Sequence, residues 1–183
     1  MSTVTQDVIS TKFARHFDAL DADQDGQVDW AEYQKFAERY LDAYRIERND
    51  RRARALLATS QMQWMELLRH AEADSDRLTK EQFVAASRSA AYDTSRLNVA
   101  EGGAHAIFDL IDVDGDNAIS RDEFARLLRD VWRSEAPDAM ESFERLDTDG
   151  DGEISRQEFI RAFREYHFSS DPQAPGSFFY GQI

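Results

Sequence analysis

One thirteen-residue phrase occurs three times in the chain: DADQDGQVDWAEY from Asp21, DVDGDNAISRDEF from Asp112 and DTDGDGEISRQEF from Asp147. Each copy has acids at positions 1, 3 and 5, an apolar residue at 8, glutamate at 12 and an aromatic at 13. A degenerate fourth copy, AEADSDRLTKEQ from Ala71 to Gln82, aligns once Leu78 and Phe83 are set at positions 8 and 13. Such a repeat is one supersecondary unit used several times over, and it settles the architecture before composition is consulted.

Helical patterns fill the stretches between copies. Ile9, Phe13, Phe17 and Leu20 recur at three- and four-residue steps before the first loop, and Tyr33, Phe36, Tyr40 and Tyr44 follow it. Leu56, Leu57, Trp64, Leu67 and Leu68 form a long segment before the degenerate copy. Ile107, Leu110 and Ile111 lead into the third loop, with Phe124, Leu127, Leu128 and Val131 beyond it. Met140, Phe143 and Leu146 enter the fourth, and Phe159, Phe163 and Tyr166 leave it, while Pro137 is expected near a helix start. Thr79, Ser120 and Ser155 each stand three residues before Gln or Glu, the signature of a capping box. The expected fold is all-α: four helix–loop–helix motifs in two pairs forming one compact body, with a C-terminal tail packed back on it, where Phe178, Phe179 and Tyr180 are expected to close the groove between the pairs. The boundaries fall at 1–90 for the first pair, 99–168 for the second and 169–183 for the tail, with 89–98 as connector.

Composition narrows what such a body can do. Thirty-six acids against 22 bases give a formal charge of −14, so neither nucleic acid nor an anionic membrane is an expected partner. A mean hydropathy of −0.66 alone would suggest disorder. Twelve Phe, six Tyr and three Trp supply too much burial for that reading. Cysteine is absent, which removes disulfides, thiolate metal sites and a cysteine nucleophile. Residues 1–20 carry Asp7, Lys12, Arg15 and Asp18, so no signal-peptide core is expected, and the expected location is cytoplasmic.

A twelve-residue loop with acids at 1, 3, 5 and 12 makes a cage for Ca²⁺, a hard ion that takes six to eight oxygens in forgiving geometry. The first loop offers Asp21, Asp23, Asp25, the carbonyl of Gln27, Asp29 and Glu32, with Gly26 at the turn. The third offers Asp112, Asp114, Asp116, the carbonyl of Ala118, Ser120 and Glu123, but turns at Asn117 in place of glycine. Asn tolerates positive φ better than other side chains, so a working site with some conformational cost is expected there. The fourth offers Asp147, Asp149, Asp151, the carbonyl of Glu153, Ser155 and Glu158, turning at Gly152. The degenerate copy lacks acids at 1 and 3, and Gln82 cannot be a bidentate anion, so it is read as a silent partner for the first loop. Val28, Leu78, Ile119 and Ile154, all at position 8, are where paired loops should join by a short β-bridge.

The loops at 21 and 147 match the EF-hand pattern in full, and the loop at 112 misses only the glycine. With its long first half, silent second loop and aromatic-ended tail YHFSSDPQAPGSFFYG, the chain resembles the sarcoplasmic calcium-binding proteins and calerythrin. That resemblance implies a calcium buffer or transporter holding three Ca²⁺ ions, with Mg²⁺ as competitor. Calcium-activated photoproteins share the body, but their chemistry requires a His in the closing helix. Phe163 stands at the aligned position here, while His167 falls where an aromatic would. Trp64, Phe108, Trp132 and Tyr166 are read as core, and His16, His70 and His105 as ordinary helix residues. No P-loop, nucleophile elbow or zinc motif supports an enzyme. The alternative is a calcium sensor that exposes a hydrophobic surface to a protein target. Its weakness is methionine, since only Met62, Met65 and Met140 follow the initiator. A monomer is expected.

Overall fold

Asp7 opens the first helix, its carboxylate accepting the Ser10 N–H at 3.1 Å, and α1 runs Val8–Leu20. Phe13, Phe17 and Leu20 fall on one face and are buried, as steps of four and three require. The computed structural model describes residues 7–93 and 97–180, with side chains from 101 in the second stretch. The expected connector at 89–98 and tail at 169–183 therefore lie partly outside the described residues.

After α1 come β1 (Gln27–Asp29), α2 (Trp30–Tyr44), α3 (Arg51–Ala71), β2 (Arg77–Thr79) and α4 (Lys80–Tyr92). The second half contains α5 (Leu97–Ile111), β3 (Ala118–Ile119), α6 (Arg121–Arg126), α7 (Glu141–Leu146), β4 (Ile154–Ser155) and α8 (Arg156–Phe168). A π-helical turn at Leu127–Val131 prolongs α6, closed by the Trp132 N–H donating to the Leu127 carbonyl at 3.1 Å. Each helix that leaves a loop begins with a capping box: Asp29 with Glu32, Thr79 with Gln82, Ser120 with Glu123, Ser155 with Glu158. These boxes satisfy the N–H groups that every helix start leaves without partners. Pro137 differs from expectation. It lies in a turn before α7, where Ala139, Glu141, Ser142 and Phe143 donate only three residues back.

The loops pair as the apolar position 8 demands. Val28 bridges Leu78, and Ile119 bridges Ile154, each in an antiparallel two-stranded ribbon. All four side chains are fully buried, so each bridge is also a point of the core. The two halves are locked face to face by a continuous cluster from Phe17 to Tyr180. Polar bonds cross the same boundary. The Tyr44 hydroxyl donates to the Glu123 carbonyl at 2.8 Å, and the Tyr166 hydroxyl to the Lys12 carbonyl at 2.8 Å. The Lys12 ammonium, fully buried, donates to the carbonyls of Glu165 (3.0 Å) and Ser169 (2.8 Å) at the end of α8. A cation there meets the negative end of the helix dipole. Burial still pushes the Lys12 amine down to about 8.

The tail folds back, with one difference from expectation. Its 3₁₀ turn, Pro175–Phe178, lies on α7 and α8 rather than along the groove between the pairs. Gly176 decides the location. A Cβ there would stand 2.9 Å from the Ala162 carbonyl carbon and closer still to its oxygen, so only glycine lets the tail reach α8. The Gly176 N–H donates to Glu165 Oε2 at 2.7 Å, and Phe178, Phe179 and Tyr180 are buried. Among the described residues of the tail, Tyr180 reaches the boundary between halves, lining a cavity with Phe36 and Tyr40 and stacking on Trp132 with ring centres 3.6 Å apart. Among the described residues no helix is long and apolar enough to cross a membrane.

Candidate metal centres

The same hydrogen bonds recur in all three acidic loops. The carboxylate at position 1 accepts the N–H of position 6: Gly26 to Asp21 at 3.1 Å, Asn117 to Asp112 at 3.0 Å, Gly152 to Asp147 at 2.9 Å. Position 3 accepts from position 5, and position 5 from position 7, in every loop. The backbone thus orients these carboxylates, and at Asp112 and Asp147 it engages both oxygens, with Gly115 and Asp151 donating to the second. The turn residues Gly26, Asn117 and Gly152 all have positive φ (82°, 71° and 92°), so Asn117 takes the conformation that glycine supplies elsewhere.

The glutamate at position 12 closes each ring from the exiting helix. Glu123 Oε1 accepts the Val113 N–H at 2.8 Å, and Glu158 Oε1 the Thr148 N–H at 2.8 Å. Glu32 Oε1 accepts the Ala22 N–H at 3.1 Å in the same way. Asp29, Ser120 and Ser155, at position 9, use their side-chain oxygens to cap the helix N–H of the glutamate. Oxygens of Asp21, Asp23 and Asp25 lie within 4.8 Å of one another, as do those of Asp112, Asp114 and Glu123, and of Asp147, Asp149 and Glu158. Glu32, Asp116 and Asp151 stand outside these closest groups, though in the same loops.

These clusters fit a hard cation. Asp21 Oδ1 is buried and has no hydrogen-bond partner, an orphaned acceptor aimed where an ion would supply the missing contact. Burial pushes the Asp112 carboxyl up, and the charges of Asp116 and Glu123 add to it. Burial also works on Glu158, but hydrogen bonds from Ser155 and Thr148 outweigh it and hold its carboxyl below the usual range. The Gln27 N–H, then Arg77, hold the Asp25 carboxyl down. Carboxylates gathered this closely repel unless a cation joins them.

The degenerate loop lacks this cage. Gln82 caps α4 by accepting the Thr79 N–H at 3.0 Å, without the second link to the loop start that each glutamate makes. Its Arg77 reaches across the ribbon to pair with Asp25 of the first loop at 2.5 Å, a contact that spacing within one copy does not reveal.

Two histidines read as ordinary helix residues occupy special places. His16 lies among Phe36, Phe83 and Trp132, with ring centres 5.7–5.8 Å away and no hydrogen bond among the described residues. It lines a cavity of about 160 Å³ together with Phe13, Tyr40, His167 and Tyr180. Burial pushes His16 down to about 3 and His167 to about 4, so both imidazoles are neutral. His70 stands near Glu66 and Asp93, but the Arg69 guanidinium already bridges the two carboxylates at 2.7 and 2.8 Å, which makes this a neutralised surface cluster.

The comparisons agree with this geometry. Residues 101–164 match the family model described as an EF-hand domain pair, and residues 14–37 the one described as EF hand. No curated protein matches the chain. A calcium-binding protein of Streptomyces coelicolor, solved in a study of prokaryotic calcium-mediated regulation, is 28% identical, with 87% of this chain and 97% of that one covered and a TM-score of 0.68. The coelenterazine-binding protein of Renilla muelleri in its calcium-loaded apo form is 21% identical over 100% of both chains, with a TM-score of 0.69. Calcium-loaded apo-aequorin from Aequorea victoria is 18% identical over 88% of this chain and 92% of that one, with a TM-score of 0.73. At those identities the last two speak for the fold alone. Matched loops, bridged pairs and matched family models lead to one conclusion: residues 14–37 and 101–164 are EF-hand segments, and the chain has the fold of EF-hand calcium-binding proteins.

Proposed function

We propose that the protein is a closed calcium buffer that binds three ions, in the loops at 21–32, 112–123 and 147–158. The ligands are those the sequence indicates, with Asp29, Ser120 and Ser155 acting through water because their side chains are committed to caps. Three ions would bring the formal charge from −14 to −8 and relieve the repulsion within each loop. Mg²⁺ competes as a smaller ion with the same preference for oxygen. The division into a pair at 1–90, a pair at 99–168 and a tail at 169–183 is supported by the two ribbons, which join loops only within a pair.

The observation that carries the buffer reading is the tail. A sensor offers an apolar groove to its target, whereas here Phe179 is fully buried against Phe159 and Phe163 of α8. Burying each such ring stabilises by roughly 1.5–3 kcal/mol, which opposes opening. The regulatory setting of the Streptomyces relative favours the sensor instead. Hydrophobic-dye fluorescence with and without calcium decides between them: a buffer gives little change, and a large calcium-dependent rise establishes the sensor.

A second reading rests on the cavity. At about 160 Å³ it falls short of the ~300–1,000 Å³ typical of drug-sized ligands, but it has room for one aromatic ring. Titration with indole, read by thermal shift, tests it. Stabilisation that His16→Phe abolishes supports a ligand site, and no stabilisation leaves the cavity a packing defect.

A further inference from the structure

The residue at position 7 of the second and fourth loops faces the acids of its partner loop, and its charge is opposite in the two pairs. In the first pair it is Arg77, whose guanidinium sits on Asp25 at 2.5 Å, with Asp29 and Asp23 as its next charged neighbours. In the second pair it is Glu153, whose charged neighbours across the ribbon are Asp116, Asp114 and Glu123, with Asp151 of its own loop alongside. The two ribbons share one architecture: Arg77 is paired with Asp29 in the first, and Glu153 directly precedes the Ile154–Ile119 bridge in the second.

We propose that Arg77 is a built-in counter-cation that lowers the calcium affinity of the first loop, so that the silent loop sets the order in which the protein fills. The proposal rests on the three-ion reading above. Without calcium, Arg77 neutralises a liganding carboxylate and holds the loop at 21–32 together. An ion entering that loop must share Asp25 with a guanidinium and meets a like charge beside it. In the second pair the incoming ion meets one carboxylate more than the ligand set needs, because Glu153 adds its charge to the loop at 112–123. A single charge at this distance from a divalent ion changes affinity by about tenfold even at the dielectric of water. The second pair therefore fills first, and the first loop responds at higher calcium.

The test is calcium titration calorimetry on the full chain, with Arg77→Gln, Glu153→Gln, Glu32→Gln and the double variant Arg77→Gln/Glu32→Gln. Both position-7 side chains are exposed, and circular dichroism checks that each variant folds. Arg77→Gln should raise the weakest stepwise constant about tenfold and leave the others unchanged, an effect that vanishes in the double variant. Glu153→Gln should weaken a tighter step. Three ions bound with Arg77→Gln matching the parent would overturn the inference while leaving the three-ion reading intact. A parent that binds two ions, with Glu32→Gln losing none, would overturn the reading itself.

Discussion

Replacing Gly176 by alanine adds one methyl group where the tail backbone lies closest to α8. The new Cβ would overlap the Ala162 carbonyl oxygen and Glu165 Cβ, and neither can retreat, because one is helix backbone and the other is anchored to it. Overpacking of this kind costs about 1–3 kcal/mol if the tail stays seated and strained. If the tail lifts, it loses the burial of Phe178, Phe179 and Tyr180, and regained chain entropy offsets part of that loss. Either route gives a loss of about 2–3 kcal/mol, which for a chain of this size lowers Tm by about 5–10 °C. The backbone at Gly176 does not need positive φ, so alanine is no burden to an undocked tail. The assay is thermal unfolding followed by circular dichroism at saturating calcium, with dye fluorescence as the second readout. A Tm within 1 °C of the parent and unchanged dye binding would refute the seated tail and remove the support for a closed body.

Three further outcomes follow from particular residues. His16 and His167 are neutral when folded down to about 3 and 4, against an ordinary 6.5, so the unfolded chain binds their protons first as pH falls. Their contribution is complete above 6.5 and declines below it. At pH 5 each costs about 2 kcal/mol of stability, and His16→Phe should flatten the profile in a pH series of urea melts. Asn117→Ala keeps a side chain at φ 71° without the amide that Arg156 contacts at 2.8 Å, and should cost about 1–2 kcal/mol in thermal unfolding at fixed calcium. Glu158→Gln should remove one ion in calorimetry, weaken the loop at 112–123 through the Ile119–Ile154 bridge, and forfeit about 2.7 kcal/mol of calcium-dependent stability at 100-fold excess over Kd.

The loops and their pairing were legible because their chemistry is local. Acids at fixed spacing and the turn at Asn117 act within a dozen residues, and the apolar residue at position 8 is marked by its place in each copy although it pairs with a distant one. The capping boxes at Thr79, Ser120 and Ser155 were legible for the same reason, and Asp29 with Glu32 is a fourth by the same rule. What escaped depends on contacts across the fold. His16 has no motif around it, and its place in a cavity is set by Trp132 and Tyr180 from the other half of the chain. The tail's aromatics announced burial, yet only the Gly176–Ala162 approach selects α8 over the groove between pairs. Arg77 could have been found by comparing position 7 across the four copies, where it is the lone cation.

Calcium stoichiometry by titration of the full chain, with the ions then located crystallographically, tests the central claim most directly. The expected result is three ions, one each in the loops at 21–32, 112–123 and 147–158, with the loop at 71–82 empty. A fourth ion at 71–82, or none at 21–32, would contradict it.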